Sequence, residues 1–102
     1  MTAARQVVIT GMGMISPLGL SVEESWANLL AGVSGIGPIT ECDAGDFATR
    51  IAGEVKVFVA RDHMDFKEAR RMSRASQLTV AAARMALADA GLPEQVPDAE
   101  RA

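Results

Sequence analysis

The sequence predicts an α/β fold that is incomplete in this chain, and three features support that prediction. Residues 7–10 are a run of β-branched residues, typical of a buried strand, and they lead into a glycine-containing loop. An amphipathic helical pattern follows, and a later helix at residues 78–90 is apolar on nearly every side. One clear strand, one doubtful strand and one short helix cannot surround such a helix, so the chain is expected to be part of a larger fold.

Composition narrows the class of protein. The chain has 102 residues, 49% of them hydrophobic, which suits one folded domain. A net charge of −3 gives no general reason to expect nucleic acid or an anionic membrane as partner. One cysteine and one histidine exclude an internal disulfide and offer no metal-ligand spacing, and we expect no cofactor. There is no secretory-signal pattern and no stretch near the roughly 20 apolar residues of a membrane span, so we expect a cytoplasmic protein.

The loop after the first strand resembles a phosphate-binding turn in part. A strand, a Gly-x-Gly loop and a helix together can hold a dinucleotide pyrophosphate. Here Ser16 occupies the third glycine position, Pro17 and Leu18 delay the helix, and no acidic residue closes a second strand about 20 positions later. The pattern therefore favours close backbone packing at Gly11 and Gly13 over a cofactor cradle.

The first helix is predicted over residues 22–31. Ser21 and Glu24 form a Ser-x-x-Glu capping pattern at its start, and Gly32 suits the left-handed residue after its end. Its apolar residues are spaced so that they share one face: Val22, Trp26, Leu29 and Leu30.

The remaining segments are predicted in order along the chain. Residues 33–48 carry turn residues with little periodicity and are expected to be loop, and residues 49–57 alternate enough for one short, half-exposed strand. A second helix is predicted from Lys67, with a polar start to about residue 76 and an apolar continuation over 78–90 that ends at Gly91 and Pro93. Residues 92–102 are expected to be a polar connection.

Neither Cys42 nor His63 is predicted to be catalytic. Glu41 and Asp43 flank the cysteine, and adjacent carboxylates disfavour the thiolate that a nucleophile requires. A single histidine without a partner makes neither a triad nor a metal site, so His63 is expected to be an exposed turn residue.

Four basic residues, here called the basic stripe, are the more informative polar feature. Their spacing of i, i+3, i+4 and i+7 would place them on one helix face. Spacing alone favours a solvated face screened by salt, and the competing interpretation is a docking patch for an acidic partner or a phosphate group. The stripe consists of Lys67, Arg70, Arg71 and Arg74.

Several motifs, in their order and spacing, closely resemble the amino-terminal segment of β-ketoacyl-[acyl carrier protein] synthases, especially the type II elongating kind. The resemblance covers about residues 5–92, nearly the whole chain, and leaves 93–102 as a polar tail, so residues 1–102 are interpreted as one amino-terminal segment. The motifs lie at residues 5–19, 21–26, 29–36, 47–55, 67–72 and 89–92.

The resemblance implies a thiolase-like fold with αβαβα layers, of which this chain would form part of the amino-terminal half. It implies a synthase that condenses an acyl group held on a cysteine with malonyl-acyl carrier protein, in fatty acid or polyketide biosynthesis. The family's catalytic cysteine and histidines lie beyond the matched segment, so no residue here is assigned a catalytic role and the segment alone is expected to be inactive. The implied partners are acyl carrier protein, the rest of the synthase chain and, for the full-length enzyme, a second subunit.

The resemblance also changes the interpretation of the basic stripe. In the family, the segment matching Lys67, Arg70 and Arg71 helps to dock the acidic carrier protein, and Arg74 joins them by helical geometry alone. Two other functions stay open: a segment of a chain-length factor that lacks the active cysteine, and a stand-alone carrier-protein-binding module.

Overall fold

The computed structural model describes residues 3–95, 98 and 100, and it is a mixed arrangement of short helices and strands. The two strands pair in antiparallel fashion, with Ile36 opposite Gly53 and Pro38 opposite Ile51. A 3₁₀ turn, Ala60–Asp62, precedes the second helix. The named elements are α1 (Val22–Leu30), β1 (Ile36–Pro38), β2 (Ile51–Gly53), α2 (Phe66–Ala69) and α3 (Arg74–Asp89).

The prediction of a buried strand at residues 7–10 is wrong for this structure. These residues belong to no strand, and Val7 and Ile9 are 95% and 83% exposed. A strand requires a neighbour that completes its hydrogen-bond ladder, and the sheet in the described part of the chain consists of β1 and β2 alone. Residues 7–10 therefore have the composition of a strand but are not paired with one.

Helix α1 confirms the predicted helix to within one residue. The Ser21 hydroxyl accepts a hydrogen bond from the Glu24 backbone N–H at 3.1 Å, which caps the first turn. At the other end Gly32 has φ of +72°, and the Val33 N–H donates to the Asn28 carbonyl at 3.0 Å. The predicted apolar face is present but lies open, since Trp26 is 57% exposed.

The sheet is partly as predicted. Strand β2 lies inside the half-exposed strand expected over residues 49–57, whereas β1 falls within the stretch expected to be loop. Strand β1 is three residues long and contains Gly37 and Pro38, so it has no alternating pattern to detect. Proline is tolerated there because a strand with a single neighbour leaves one edge unpaired.

Glu54 binds the segment that follows β1 through hydrogen bonds. Its carboxylate accepts hydrogen bonds from the backbone N–H groups of Thr40 and Glu41 at 3.0 and 2.9 Å, and from the Thr40 hydroxyl at 3.0 Å. Desolvation acts to raise the pKa of Glu54, but these hydrogen bonds and the positive charge of Lys56 outweigh it and lower the pKa below 4.5.

The lowered pKa of Glu54 predicts a local acid sensitivity. A carboxyl whose pKa is lower in the folded state contributes stability above the unfolded pKa, near 4.5, and that contribution is lost as pH falls through the lower folded value. The Glu54 carboxyl carbon, followed by NMR in the folded protein, is expected to titrate with a midpoint below 4.5. Thr40→Ala removes one of the donors and should move the midpoint upward. A midpoint at or above 4.5 with Thr40 intact would contradict the prediction.

The predicted second helix is in fact two helices. Helix α2 ends at Ala69, and α3 begins at Arg74 after Ser73, which has extended backbone angles of φ −66° and ψ 161°. The Ser73 hydroxyl accepts from the Ser76 N–H at 3.2 Å, so Ser73 starts a new helix instead of continuing the old one. The end of α3 agrees with the prediction, since Gly91 has φ of +71° and the Leu92 N–H donates to Leu87.

The core is small for a chain of this composition. Phe58, Met64, Ala69 and Ala81 are its buried apolar residues, and no large side chain in the described part of the chain is completely buried. The radius of gyration is 17.6 Å, whereas a compact domain of this length has about 13 Å. These features agree with the expectation of an incomplete fold.

Of the predicted polar tail, residues 96, 97, 99, 101 and 102 lie outside the described residues.

Candidate functional site

Three members of the basic stripe form one surface site, here called the basic cluster: Lys67, Arg70 and Arg71. They line a single surface cavity of about 460 Å³ and all three are exposed. Arg70 also rests over the Phe66 ring, with 5.7 Å between the guanidinium carbon and the ring centroid. Within the described part of the chain, none of the three forms an ion pair. The cluster is therefore a cationic surface open to an acidic ligand.

Arg74 lies elsewhere. Its guanidinium donates to the Val55 carbonyl at 3.1 Å and the Phe58 carbonyl at 3.3 Å, and it stacks over the Phe58 ring at 4.9 Å. The single helix face predicted from spacing is wrong, because residues 70–73 interrupt the helix between Lys67 and Arg74. In the structure Arg74 ties the start of α3 to the segment after β2.

The glycine loop packs against α3. A Cβ atom on Gly13 would overlap the Ala82 carbonyl oxygen and lie 2.7 Å from the Ala86 nitrogen, so the loop backbone lies directly on the helix backbone. The Met12 N–H donates to an Asp89 carboxylate oxygen at 2.9 Å, which fastens the same contact. The space beside these glycines is occupied by α3, which confirms the interpretation of close packing.

The turn that follows the glycine loop is attached to α1 by hydroxyl groups. Ser16 Oγ and Ser25 Oγ lie 2.7 Å apart, Ser16 Oγ accepts from the Leu18 N–H, and the Asn28 side-chain amide donates to the Leu18 carbonyl at 2.6 Å. Ser25 is buried, with 4% of its surface exposed, and the partners of its hydroxyl are Ser16 Oγ and the Gly19 carbonyl at 3.4 Å. The serine at the failed third glycine position therefore has a structural role.

The structure places Cys42 and His63 in different surroundings. Cys42 is a free, exposed cysteine, and no group of metal-ligating side chains occurs in the part of the chain that the structure describes. His63 differs from the expected exposed turn residue, because its ring is half-buried and stacks on Phe58 with centroids 5.1 Å apart. The aromatic neighbour was not visible from local sequence.

Two residues that sequence reasoning missed support the basic cluster from α3: Gln77 and Arg84. Gln77 donates to the Ala69 carbonyl at 2.9 Å, and Arg84 donates to the His63 carbonyl at 2.8 Å. The need of Arg84 for a partner could be predicted from the sequence, because a charged residue in an otherwise apolar helix requires a polar or charged partner. Gln77 gave no such indication, since it lies in a stretch that was already polar.

No helix among the described residues has the length and apolar character needed to cross a bilayer.

Comparisons with known proteins identify the family of this chain. A family model described as the N-terminal domain of β-ketoacyl synthase matches residues 4–102. The chain is 46% identical to 3-oxoacyl-[acyl-carrier-protein] synthase 2 of Staphylococcus aureus strain COL over 101 residues, 99% of this chain and 24% of that protein. It is 48% identical to the Vibrio cholerae protein of the same name over 97 residues, 95% of this chain and 23% of that protein.

A solved structure agrees with these relatives. It is the ishigamide ketosynthase/chain length factor, and it superposes with a TM-score of 0.77 at 47% identity, covering 90% of this chain and 23% of that one. The chain therefore spans about a quarter of the length of the proteins it matches.

Proposed function

The chain belongs to the β-ketoacyl synthase family, and from that premise we propose that it forms the amino-terminal part of a 3-oxoacyl-[acyl-carrier-protein] synthase. The whole enzyme condenses an acyl thioester with malonyl-acyl carrier protein in cytoplasmic fatty acid biosynthesis and works as a homodimer. The observation that carries this proposal is 46% identity across 99% of the chain to a protein of that name.

This segment contributes structure and a docking surface to the synthase. A condensing enzyme requires an activated nucleophile and a group that supports decarboxylation. Cys42 is a free, exposed cysteine that stands between Glu41 and Asp43 in the sequence. We therefore assign the chemistry to the remainder of the synthase, and the segment alone is inactive.

The basic cluster docks the acidic carrier protein. Its three cations share one exposed cavity, and their charges are not neutralised by an ion pair within the described residues. Such a surface attracts an acidic partner over several ångströms and orients it before contact, and salt weakens the attraction. Arg74 stays outside this docking role because its guanidinium is engaged with Val55 and Phe58.

Condensation activity of a hybrid synthase tests the proposed function. In this protein residues 1–102 replace the matched segment of the Staphylococcus aureus relative, and the rest of that enzyme follows. We expect the hybrid to elongate an acyl-carrier thioester with malonyl-acyl carrier protein, with the unaltered relative as the positive control. Residues 1–102 without the remainder should give no product. A hybrid that folds and dimerises but does not condense would contradict the proposal.

Charge reversal in the basic cluster should weaken carrier binding in a salt-dependent way. In the hybrid synthase, Arg70→Glu with Arg71→Glu is expected to raise KM for malonyl-acyl carrier protein about tenfold to a hundredfold at low salt, with a smaller effect at high salt. Arg5→Glu, a charge reversal in the exposed amino-terminal segment, is the control and should have little effect. Equal KM values for the double variant and the unsubstituted hybrid would exclude docking at this cluster.

A chain-length factor is the second candidate, because the similar solved structure is named as a ketosynthase/chain length factor. Such a protein resembles the synthases but lacks the active cysteine. A cysteine at a strand-to-helix turn in the polypeptide that follows residue 102 decides for the synthase, and another residue there decides for the factor. Absence of salt-sensitive binding of carrier protein by residues 1–102 alone would exclude the stand-alone module.

A further inference from the structure

Helix α2, which carries the basic cluster, cannot hold its own orientation. It consists of four residues, Phe66–Ala69, and Arg70 and Arg71 follow directly after it. A single helical turn has almost no stability in isolation, because forming the first turn fixes several backbone angles for one hydrogen bond. The direction in which Lys67, Arg70 and Arg71 point therefore depends on contacts that other elements make with α2.

Gln77 supplies one such contact. Its side-chain amide, in the first turns of α3, donates to the carbonyl of Ala69 at 2.9 Å. Ala69 is the last residue of α2 and is 5% exposed, and the Met72 N–H shares the same carbonyl. The bond is partly buried, so water replaces it poorly when the amide is removed. It connects the two helices where the basic residues leave α2.

Arg84 supplies the second contact, at the opposite end of α2. Its guanidinium donates to the His63 carbonyl at 2.8 Å, just before α2 begins, and its other terminal nitrogen lies 3.7 Å from the Glu68 carboxylate. The ion pair is long and half-exposed, so it contributes little, whereas the bond to the partly buried loop carbonyl is short. Residues of α3 thus hold both ends of α2.

We propose that Gln77 and Arg84 are positioning residues for carrier-protein docking, which they support by fixing α2 on α3 at the angle that gathers the basic cluster. This inference rests on the proposed docking function. Neither residue contacts the carrier protein. Loss of either contact leaves Lys67, Arg70 and Arg71 in the chain but no longer holds them in one orientation, so the affinity for an acidic partner falls. Gln77→Met also keeps the net charge near the cavity unchanged.

The test measures steady-state kinetics of the hybrid synthase with two malonyl thioesters, one on the carrier protein and one free of it. Gln77→Met preserves length and removes the donor, and it is expected to raise KM for the carrier thioester about threefold to tenfold. We expect kcat for the carrier thioester to stay unchanged, and also kcat and KM for the carrier-free thioester. General destabilisation of the enzyme would not restrict the effect to one KM value. Thr79→Val is the matched control, because the Thr79 hydroxyl donates within α3, to the Ala75 carbonyl at 2.8 Å.

Arg84 gives an independent second variant. Arg84→Met should raise the same KM by a similar factor, and Arg84→Lys, which keeps the charge and a donor, should recover part of the loss. If the unsubstituted hybrid shows no salt-sensitive carrier KM, the docking function itself fails. The positioning inference is overturned if the unsubstituted hybrid has a salt-sensitive carrier KM but Gln77→Met and Arg84→Met leave that KM unchanged. It is also overturned if the two variants change KM for both thioesters by the same factor.

Discussion

Gly13→Ala in the hybrid synthase is expected to lower the free energy of unfolding by about 3 kcal/mol or more. The added Cβ would overlap the Ala82 carbonyl oxygen and approach the Ala86 nitrogen and the Met85 Cβ, at 2.7 and 2.9 Å. Two of these atoms belong to the backbone of α3, so no side-chain rotation relieves the overlap. The loop must leave the helix, which also breaks the bond from Met12 to Asp89.

Gly37→Ala is the matched control for this prediction. A Cβ there meets just the end of the Lys56 side chain at 3.5 Å, which is ordinary contact. Its effect should stay within about 0.5 kcal/mol in a urea or thermal unfolding experiment. Similar losses for the two substitutions would show that the glycine loop does not pack on α3 as described.

Residues 1–102 by themselves are expected to show no cooperative thermal transition as a monomer. The apolar residues of the first segment and of α1 have no cover, with Val7 95%, Ile9 83% and Leu30 69% exposed. Burial of such side chains normally stabilises a fold by about 1.5–3 kcal/mol each, and here that contribution is missing. Apolar surface of this extent on a monomer favours aggregation.

Calorimetry and near-ultraviolet circular dichroism of the purified chain would test this expectation. We expect a broad or absent heat-absorption peak, weak near-ultraviolet signal and strong binding of an apolar dye, with far-ultraviolet signal from the helices retained in part. Sedimentation should show self-association. A sharp two-state transition from a monomer would mean that residues 1–102 form a stable domain on their own.

Local signals in the sequence predicted local structure well. Ser21, Glu24 and Gly32 act within one helix, so the ends of α1 could be predicted without knowledge of any distant residue. The same holds for the end of α3 at Gly91. Glycines at 11 and 13 could be assigned to packing because the alternative, a phosphate site, requires a spacing that the chain lacks.

The failed predictions depend on other parts of the chain. Residues 7–10 have strand propensity, but pairing requires a neighbour, and propensity does not supply one. The break at Ser73 was missed because the helical spacing of charges on both sides of it masked a capping serine. The single helix face predicted for Lys67 to Arg74 is therefore wrong, and the structural partners of Arg74, the carbonyls of Val55 and Phe58, are sixteen or more positions away in the sequence.

The unpaired segment at residues 7–10 has a consequence for synthesis of the proposed enzyme. This segment leaves the ribosome before the remainder of the proposed synthase, because the chain spans about a quarter of the length of the matched relatives. At translation rates of about 5–20 residues per second, it waits on the order of tens of seconds with its backbone groups and apolar side chains open to other chains. Cellular yield of the synthase should therefore depend on a chaperone that binds nascent extended segments.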